Sequence, residues 1–275
     1  MELHLVDATY ELFRAHFSPR PAVLGRDGQV LNGVSGLVET LLSLLRDEGA
    51  THVGCATDRV IRSFRNDLFP GYKSEVGIAP ELLAQFPIAE LAIEALGLVS
   101  WPMVEYEADD AIATAVARWA DDPRVDGIVI CSADKDLAQC VRGQRIVLLD
   151  RRRRITYDDT GVRAKWGVPP ASIPDLLALV GDSSDGYPGI PGWGAKTAAA
   201  VLDRYGSIAG IPPRAGDWQV DVRGASVLAA RLVAQRDEVE LYLELARLQL
   251  DAGISQRDPA ELEWLGAPRA AYEAF

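Results

Sequence analysis

The sequence predicts an α/β fold, a largely parallel central sheet flanked by helices, followed by a helical part. Two observations carry this. Four short runs rich in β-branched or aliphatic residues read as buried strands: LHLV at 3–6, THVGCA at 51–56, GIVICS at 127–132 and RIVLL at 145–149. Helical patterns separate most of them, at 35–46, at 81–96 with Pro87 set to break or kink it, and at 108–120. From about 174 onward the strand signal disappears, and helices with a Gly/Pro-rich hairpin take over, ending in a charged helix near 225–250. The expected division is therefore an α/β core over 1–173 and a helical part over 174–275.

Taken in order, the strands each deliver an acid where open α/β sheets bind ligands, just beyond their carboxyl ends. Asp7 follows the first, Asp58 the second, and Asp134 with Asp136 the third. A single such Asp is an ordinary turn former; three on one sheet crowd like charges along one edge. The helix at 108–120 adds Glu107, Asp109 and Asp110. Its apolar stripe runs through Ile112, Val116 and Trp119, and Asp109 extends that stripe by one turn, so a carboxylate points where core should be. Asp110 reads equally well as an acid favoured by the helix dipole. A fourth cluster, Gly181-Asp182-Ser183-Ser184-Asp185-Gly186, follows the apolar helix PDLLALV; alone it is equally a capping loop. Asp150 also ends a strand, but Arg151–Arg154 come directly after it. That reads as a hairpin turn whose Asp pairs with arginine, although the run could also touch duplex phosphates.

All of these donors are oxygens, and His4, His16 and His52 match no zinc spacing. An all-carboxylate pocket suits two or more Mg²⁺ or Mn²⁺ ions, the arrangement used for in-line displacement at a phosphodiester. Cations for the substrate are also present. Gly189-x-x-Gly192-x-Gly194-x-Lys196-Thr197 has the helix-hairpin-helix pattern, in which glycines let backbone N–H groups approach a phosphate. Arg62, Arg65 and Lys73 interleave with Phe64, Phe69 and Tyr72, which suits phosphate contact with base stacking and equally a surface segment with apolar anchors.

Composition restricts the rest. The chain has 275 residues, 48% hydrophobic and 25% charged, ordinary for a soluble globular protein. No apolar run is long enough to span a membrane, and MELHLVDATY lacks the basic start of a signal peptide. Cys55, Cys131 and Cys140 fit neither disulfide pairs nor a zinc cluster, and read as buried thiols in a reducing cytoplasm. A net charge of −12 argues against a nucleic-acid partner only if the acids are spread evenly. With nine of the 40 acids set aside as metal ligands, the remainder nearly balances the 28 basic residues.

LVDATYELFRAHF, TDRVIRSFRNDLFPGYKS, YEADDAIATAVA, ICSADKDLAQCV and LALVGDSSDGYPGIPGWGAKTAAAVL, in that order, resemble the 5′-nuclease family. The family comprises the N-terminal nuclease domain of bacterial DNA polymerase I, phage 5′-exonucleases and flap endonucleases. The resemblance covers residues 3 to about 202. It implies a metal pocket of Asp7, Asp58, Glu107, Asp109, Asp110, Asp134, Asp136, Asp182 and Asp185, and a helical arch over about 70–100. It further implies that Lys73 and Arg65 face the scissile phosphate, and that Arg14, Tyr72 and Lys135 lie near DNA. Gly189–Thr197 would hold duplex around a monovalent cation such as K⁺. The implied substrates are DNA 5′ ends or flaps, with RNA–DNA hybrids as a variant, and the chain looks like a stand-alone nuclease; no oligomerisation signal appears, so a monomer is the default expectation. KSEVGIAP at 73–80 departs from the family's basic, proline-rich arch, which implies a weaker grip on single strands. The readings set against a DNA nuclease are a DNA-binding protein without catalysis, an aspartyl phosphatase built on Asp134-Lys135-Asp136, and a ribonuclease with a similar acidic pocket.

Overall fold

A computed structural model describes residues 1–275. Its six-stranded sheet has the order β3-β2-β1-β4-β5-β6. The strands are β1 (Glu2–Asp7), β2 (His52–Asp58), β3 (Val99–Met103), β4 (Gly127–Cys131), β5 (Ile146–Asp150) and β6 (Ile155–Tyr157). The first five run parallel, and β6 turns back antiparallel onto β5. The chain leaves β1 toward β2 and β3, then returns to β4 on its other side. A crevice therefore opens beyond the carboxyl ends of β1 and β4, the switch point where such sheets bind ligands.

The four expected strands are present, and two more accompany them. β3 carries Pro102, which an edge strand tolerates because its outer N–H needs no partner. β6 has only three residues, and with β5 it makes the arginine turn a hairpin.

Helices cover both faces of the sheet. On one, α1 (Ala8–His16), α2 (Asn32–Arg46) and α5 (Phe86–Ala95) bury Leu12, Leu37, Leu41 and Ile93 with Val6, Val53 and Cys55. On the other, α6 (Ala108–Trp119) packs Ile112, Val116 and Trp119 with Leu3 and Leu5. Alternation along β1 sends successive residues to opposite cores. The second core continues into the helical part: α8 (Ile173–Val180), α9 (Ala195–Tyr205), α10 (Ala225–Ala234) and α11 (Arg236–Ala246). The charged helix expected near 225–250 is two helices, because the backbone leaves the helical region at Gln235. The shorter helices are α3 (Arg65–Leu68), α4 (Pro80–Leu83), α7 (Asp159–Trp166) and α12 (Arg269–Ala274).

The segment expected to arch over the site is mostly not an arch. α5 belongs to the core, since Phe86, Ala89, Ala92 and Ile93 are buried. Pro87 sits in its first turn, and the chain breaks from α4 at Ala84–Gln85. What crosses the crevice is a non-helical strap, 73–79, in which Gly77 has φ 89° and Val76 is 91% exposed.

Candidate metal centre

Each acid-bearing strand end is locked by its own turn chemistry. Asp7 caps α1: one carboxylate oxygen accepts from Tyr10 N at 2.8 Å and the other from Ser132 Oγ at 2.9 Å. Asp58 Oδ1 accepts from Ala108 N at 2.7 Å, joining the end of β2 to the start of α6, while Thr9 Oγ1 accepts from Asp58 N at 2.8 Å. Beyond β4, Ser132 Oγ accepts from Asp134 N at 3.1 Å, and Asp134 Oδ1 from Asp136 N at 2.9 Å. The loop therefore presents two acids two residues apart.

The start of α6 sorts its three acids. Glu107 is the cap residue, buried, with Ser63 Oγ donating to Oε1 at 2.7 Å and Lys73 Nζ at 2.7 Å from Oε2. Asp109 is half-buried and lines the crevice. Asp110, 100° further round the helix, is fully buried, and here the structure corrects the expectation for two residues. Arg65 grips Asp110 bidentately, both contacts at 2.8 Å, and donates further to Leu245 O and Arg247 O at 2.9 Å each. Four of its five guanidinium N–H groups are thus hydrogen-bonded, Nη1 also lies 3.2 Å from Glu107, and Arg65 is 1% exposed. It has no exposed donor left for a phosphate. Asp110 in turn accepts from Glu107 N and Gln249 N as well, so it is a counter-ion and not a free ligand. Together they staple the chain after α11 to the base of the site.

The loop between α8 and α9 supplies the last two acids. Asp182 Oδ1 accepts from Ser184 N at 2.8 Å, its other oxygen meets Lys135 Nζ, and Asp185 lies 3.3 Å from Lys73 Nζ. Asp136, Asp182 and Asp185 bring carboxylate oxygens within 4.8 Å of one another. The loop docks on the strap: Asp185 O accepts from Lys73 N at 2.9 Å. Gly186, at φ 89°, lies so close that a Cβ there would sit 2.3 Å from Gly71 O. Asn66, unmarked in the sequence reading, holds the same junction by donating to Lys73 O at 2.9 Å.

Six carboxylates, Asp7, Asp58, Glu107, Asp109, Asp134 and Asp185, thus line the crevice with Lys73, and Asp136 and Asp182, with Lys135, join them through Asp185 to make a group of eight acids and two lysines. Burial, then the charges of Asp58 and Asp134, push Asp7 up to about 7. Burial, with Glu107 adding to it, pushes Asp58 up to about 6. Asp109 and Asp136 are raised well above the usual carboxylate range by burial and then by Asp134, and Asp185 is raised by burial with the neighbouring acids. Glu107 moves the other way: burial would raise it, but Lys73 and Arg65 together outweigh burial. Asp136 Oδ1 is buried with no hydrogen-bond partner. Hard oxygen donors, excess negative charge and an orphaned carboxylate oxygen fit a divalent cation such as Mg²⁺ or Mn²⁺.

The cavity measures about 540 Å³ and opens beneath the strap. Thr9, Tyr10, Phe13 and Ile78 line it; the α1 residues were detectable as the face of a helix that begins at Asp7. Of the residues expected at nucleic acid, Tyr72 is a core residue, 5% exposed with its hydroxyl on Glu107, so its ring cannot stack on a base. Lys135 neutralises Asp182 and Asp136, and Arg14 is turned away toward Glu11 and Thr40. Gly192 and Gly194 are exposed in the hairpin, beside exposed Lys196 and half-buried Thr197 at the start of α9, whereas Gly189 is buried against Gly181.

Fold and site define a class: a parallel α/β core with a carboxylate cleft at its switch point, followed by a helical domain. Residues 2–167 match the family model of the 5′-3′ exonuclease N-terminal, resolvase-like domain, and residues 168–267 that of the 5′-3′ exonuclease C-terminal SAM fold. The chain belongs to the 5′-3′ exonuclease family, nucleases that hydrolyse phosphodiester bonds. DNA polymerase I of Rhizobium leguminosarum is 37% identical over 265 residues, 90% of this chain, which spans only 26% of that polymerase. A 5′-3′ exonuclease of Bacillus subtilis is 34% identical over 220 residues, 75% of this chain and 71% of the relative. Among solved structures, T5 5′-exonuclease with bound zinc shares the fold at a TM-score of 0.73 and 19% identity, covering 100% of this chain and 96% of that one. The catalytic core of Rad2 in complex with DNA substrate does so at 0.61 and 16%, covering 99% and 85%.

Two stability measurements test this geometry. Arg65→Ala strands a buried carboxylate and should cost about 3–5 kcal/mol in urea unfolding, whereas Arg65→Met with Asp110→Leu should recover most of it. An Arg65→Ala protein of wild-type stability would refute the staple. The second concerns protons. Asp7 and Asp58 bind protons more tightly folded than unfolded, so their contribution to stability is full below about pH 4 and is lost as pH rises through about 6 to 7, by on the order of a few kcal/mol. In EDTA the melting temperature should drop from pH 5.5 to pH 8, Mn²⁺ should restore it at pH 8, and Asp7→Asn should flatten the pH dependence. A profile that stays flat in the wild type contradicts the burial of these charges.

Proposed function

We propose that the protein is a divalent-metal-dependent 5′ nuclease that hydrolyses phosphodiesters of DNA near 5′ ends, as a 5′→3′ exonuclease and on flaps, in replication and repair. The observation that carries this is the convergence of eight carboxylates from the ends of β1, β2 and β4, from α6 and from the α8–α9 loop on one cleft with only two lysines. Asp7, Asp58, Glu107, Asp109, Asp134, Asp136, Asp182 and Asp185 would hold two or more Mg²⁺ or Mn²⁺ ions. Bound there, such ions activate an attacking water and stabilise the leaving oxygen. The T5 neighbour with zinc bound and the Rad2 core with DNA bound support the same reading.

The chain's own residues supply binding and orientation. Lys73 is the cation on the substrate side of the cleft, 29% exposed, with its backbone clamped by Asp185 O and Asn66. Its ammonium is placed to bind the scissile phosphate and to balance charge as it develops there. Tyr10 and Phe13 offer aromatic surface for the terminal base on the same side. The exposed Gly192–Gly194 turn and Lys196, at the N-terminus of α9, are suited to a duplex phosphate away from the cut, with a monovalent cation such as K⁺ at the hairpin. RNA–DNA hybrids fit the same contacts. The strap carries Glu75 and only one lysine, Lys73, which supports a looser hold on single-stranded flaps than on ends. Free, buried Cys55, Cys131 and Cys140 support a reducing, cytoplasmic setting, and no helix is long and apolar enough to cross a membrane.

Cleavage of a 5′-labelled flap duplex in Mg²⁺ or Mn²⁺ tests the proposal. Wild type should cut near the junction or release short 5′ products. Asp134→Asn should lose at least 10²-fold in rate, and Lys73→Ala about 10²–10³-fold in kcat. Binding without cutting by wild type in either metal would sink the catalytic reading and leave a DNA-binding protein.

A further inference from the structure

A second site lies on the far side of α1. There α1, α2 and the β5–β6 turn enclose a groove of about 270 Å³ lined by no apolar side chain. Arg14, Arg20, Arg151, Arg152 and Arg154 line it, against Glu39 and Glu48. Three of the arginines have carboxylate partners, Arg14 with Glu11, Arg20 with Glu39 at 2.9 Å, and Arg151 with Glu48. Arg152 and Arg154 form no ion pair. In a chain of net charge −12 this is a local excess of cations that internal pairing does not consume.

Two features indicate that the groove is built for a ligand. Arg151 is nine-tenths buried, and its Nε has no hydrogen-bond partner, an unsatisfied donor inside a charged groove. Arg154 has φ 55°, the one non-glycine residue of the chain at positive φ. It closes the β5–β6 hairpin, where Gly or Asn would sit with about 1 kcal/mol less backbone strain.

Position identifies the ligand. The turn follows the carboxyl end of β5, on the same sheet edge as Asp7 and Asp134. Asp7 caps α1 and Arg14 lies seven residues on, about 10 Å along the helix axis. Tyr10 lies between, lining the acidic cleft while feeling the charges of Asp7, Asp150 and Arg14. Guanidinium groups pair with phosphate oxygens in a forked geometry, and the absence of apolar lining disfavours a peptide or a lipid tail. We propose that the arginine groove binds the phosphodiester backbone of the substrate nucleic acid beside the bond in the cleft, across α1 from it. The proposal rests on the nuclease reading above, which supplies the polyanion.

The test compares equilibrium binding of a 5′-flap DNA duplex, in Ca²⁺ and across a salt series, by wild type and by Arg152→Gln/Arg154→Gln. Both side chains are exposed, so folding is spared. Each lost phosphate contact lowers the slope of log K against log salt by about 0.9. The variant should therefore lose between about one and two from the slope and bind roughly tenfold more weakly at low salt, while Arg152→Lys/Arg154→Lys should retain the slope. Arg236→Gln/Arg269→Gln, with the same change in net charge on distant helices, should match wild type. An unchanged slope in the Gln variant, or an equal loss in the distant control, overturns the groove. If wild type cuts normally in Mg²⁺ while the Gln variant keeps its slope, the groove alone falls. If wild type binds but never cuts, the nuclease reading falls and the slopes still decide the groove. A wild type that binds no DNA overturns both.

Discussion

Two unit charges 4 Å apart repel by about 4 kcal/mol at the effective dielectric of a protein surface, and eight carboxylates here share one cleft with two lysines. Much of the surrounding structure can be understood as holding that repulsion in place. Each acid is fixed by a different local device. Asp7 is a helix cap, Asp58 is tied to the start of α6, and Asp134 and Asp136 occupy one turn. Asp185 is clamped through its own backbone to Lys73. No single element carries more than three of the acids, so the charges are brought together only by the tertiary fold. Lys73 and Lys135 neutralise part of the excess, and protons or divalent cations can take up the rest.

The sequence made part of this legible and concealed part, for physical reasons that differ by residue. Asp7, Asp58 and Asp134 were readable because strand pattern and strand end are local properties, and parallel order follows from alternation with helices. The strand β3 was not, since Pro102 interrupts its pattern and only its place at the sheet edge excuses it. Adjacent acids defeated periodicity. Asp109 and Asp110 differ by 100° around α6, and only the position of Arg65 reveals which faces the cleft and which is a counter-ion. Arg65 and Lys73 both looked like substrate cations. The acceptors that occupy Arg65, Leu245 O and Arg247 O, lie some 180 residues away in sequence, beyond the reach of any local pattern. Tyr72 misled likewise, because an aromatic beside a lysine looks the same whether it faces solvent or the core.

Net charge proved a poor guide because it averages over opposed regions. Eight carboxylates with two lysines put a formal −6, half of the chain's −12, at one cleft, while arginines gather at the β5–β6 turn on the same sheet edge. α1 joins the two, its first turn capped by Asp7 and its last turn carrying Arg14. A polyanion approaching that edge meets attraction on both sides of α1 once the carboxylates are neutralised, and repulsion beside attraction when they are not. On the proposed reading, metal loading and substrate affinity would be coupled through charge alone, with no change of shape required.

The staple from Arg65 to the segment after α11 also bears on how the protein is made. A chain emerging from the ribosome folds its earlier parts first, so β1 to α6 are available long before residues 245–249. Until those residues arrive, the five N–H groups of Arg65 and the carboxylate of Asp110 lack part of their partners, and the wall behind Glu107 is unfinished. A nascent or prematurely terminated chain would therefore display acids without the framework that aligns them. Assembly of the cleft is in effect deferred until residues 245–249 have been made, which limits the time during which a half-built nuclease could meet nucleic acid.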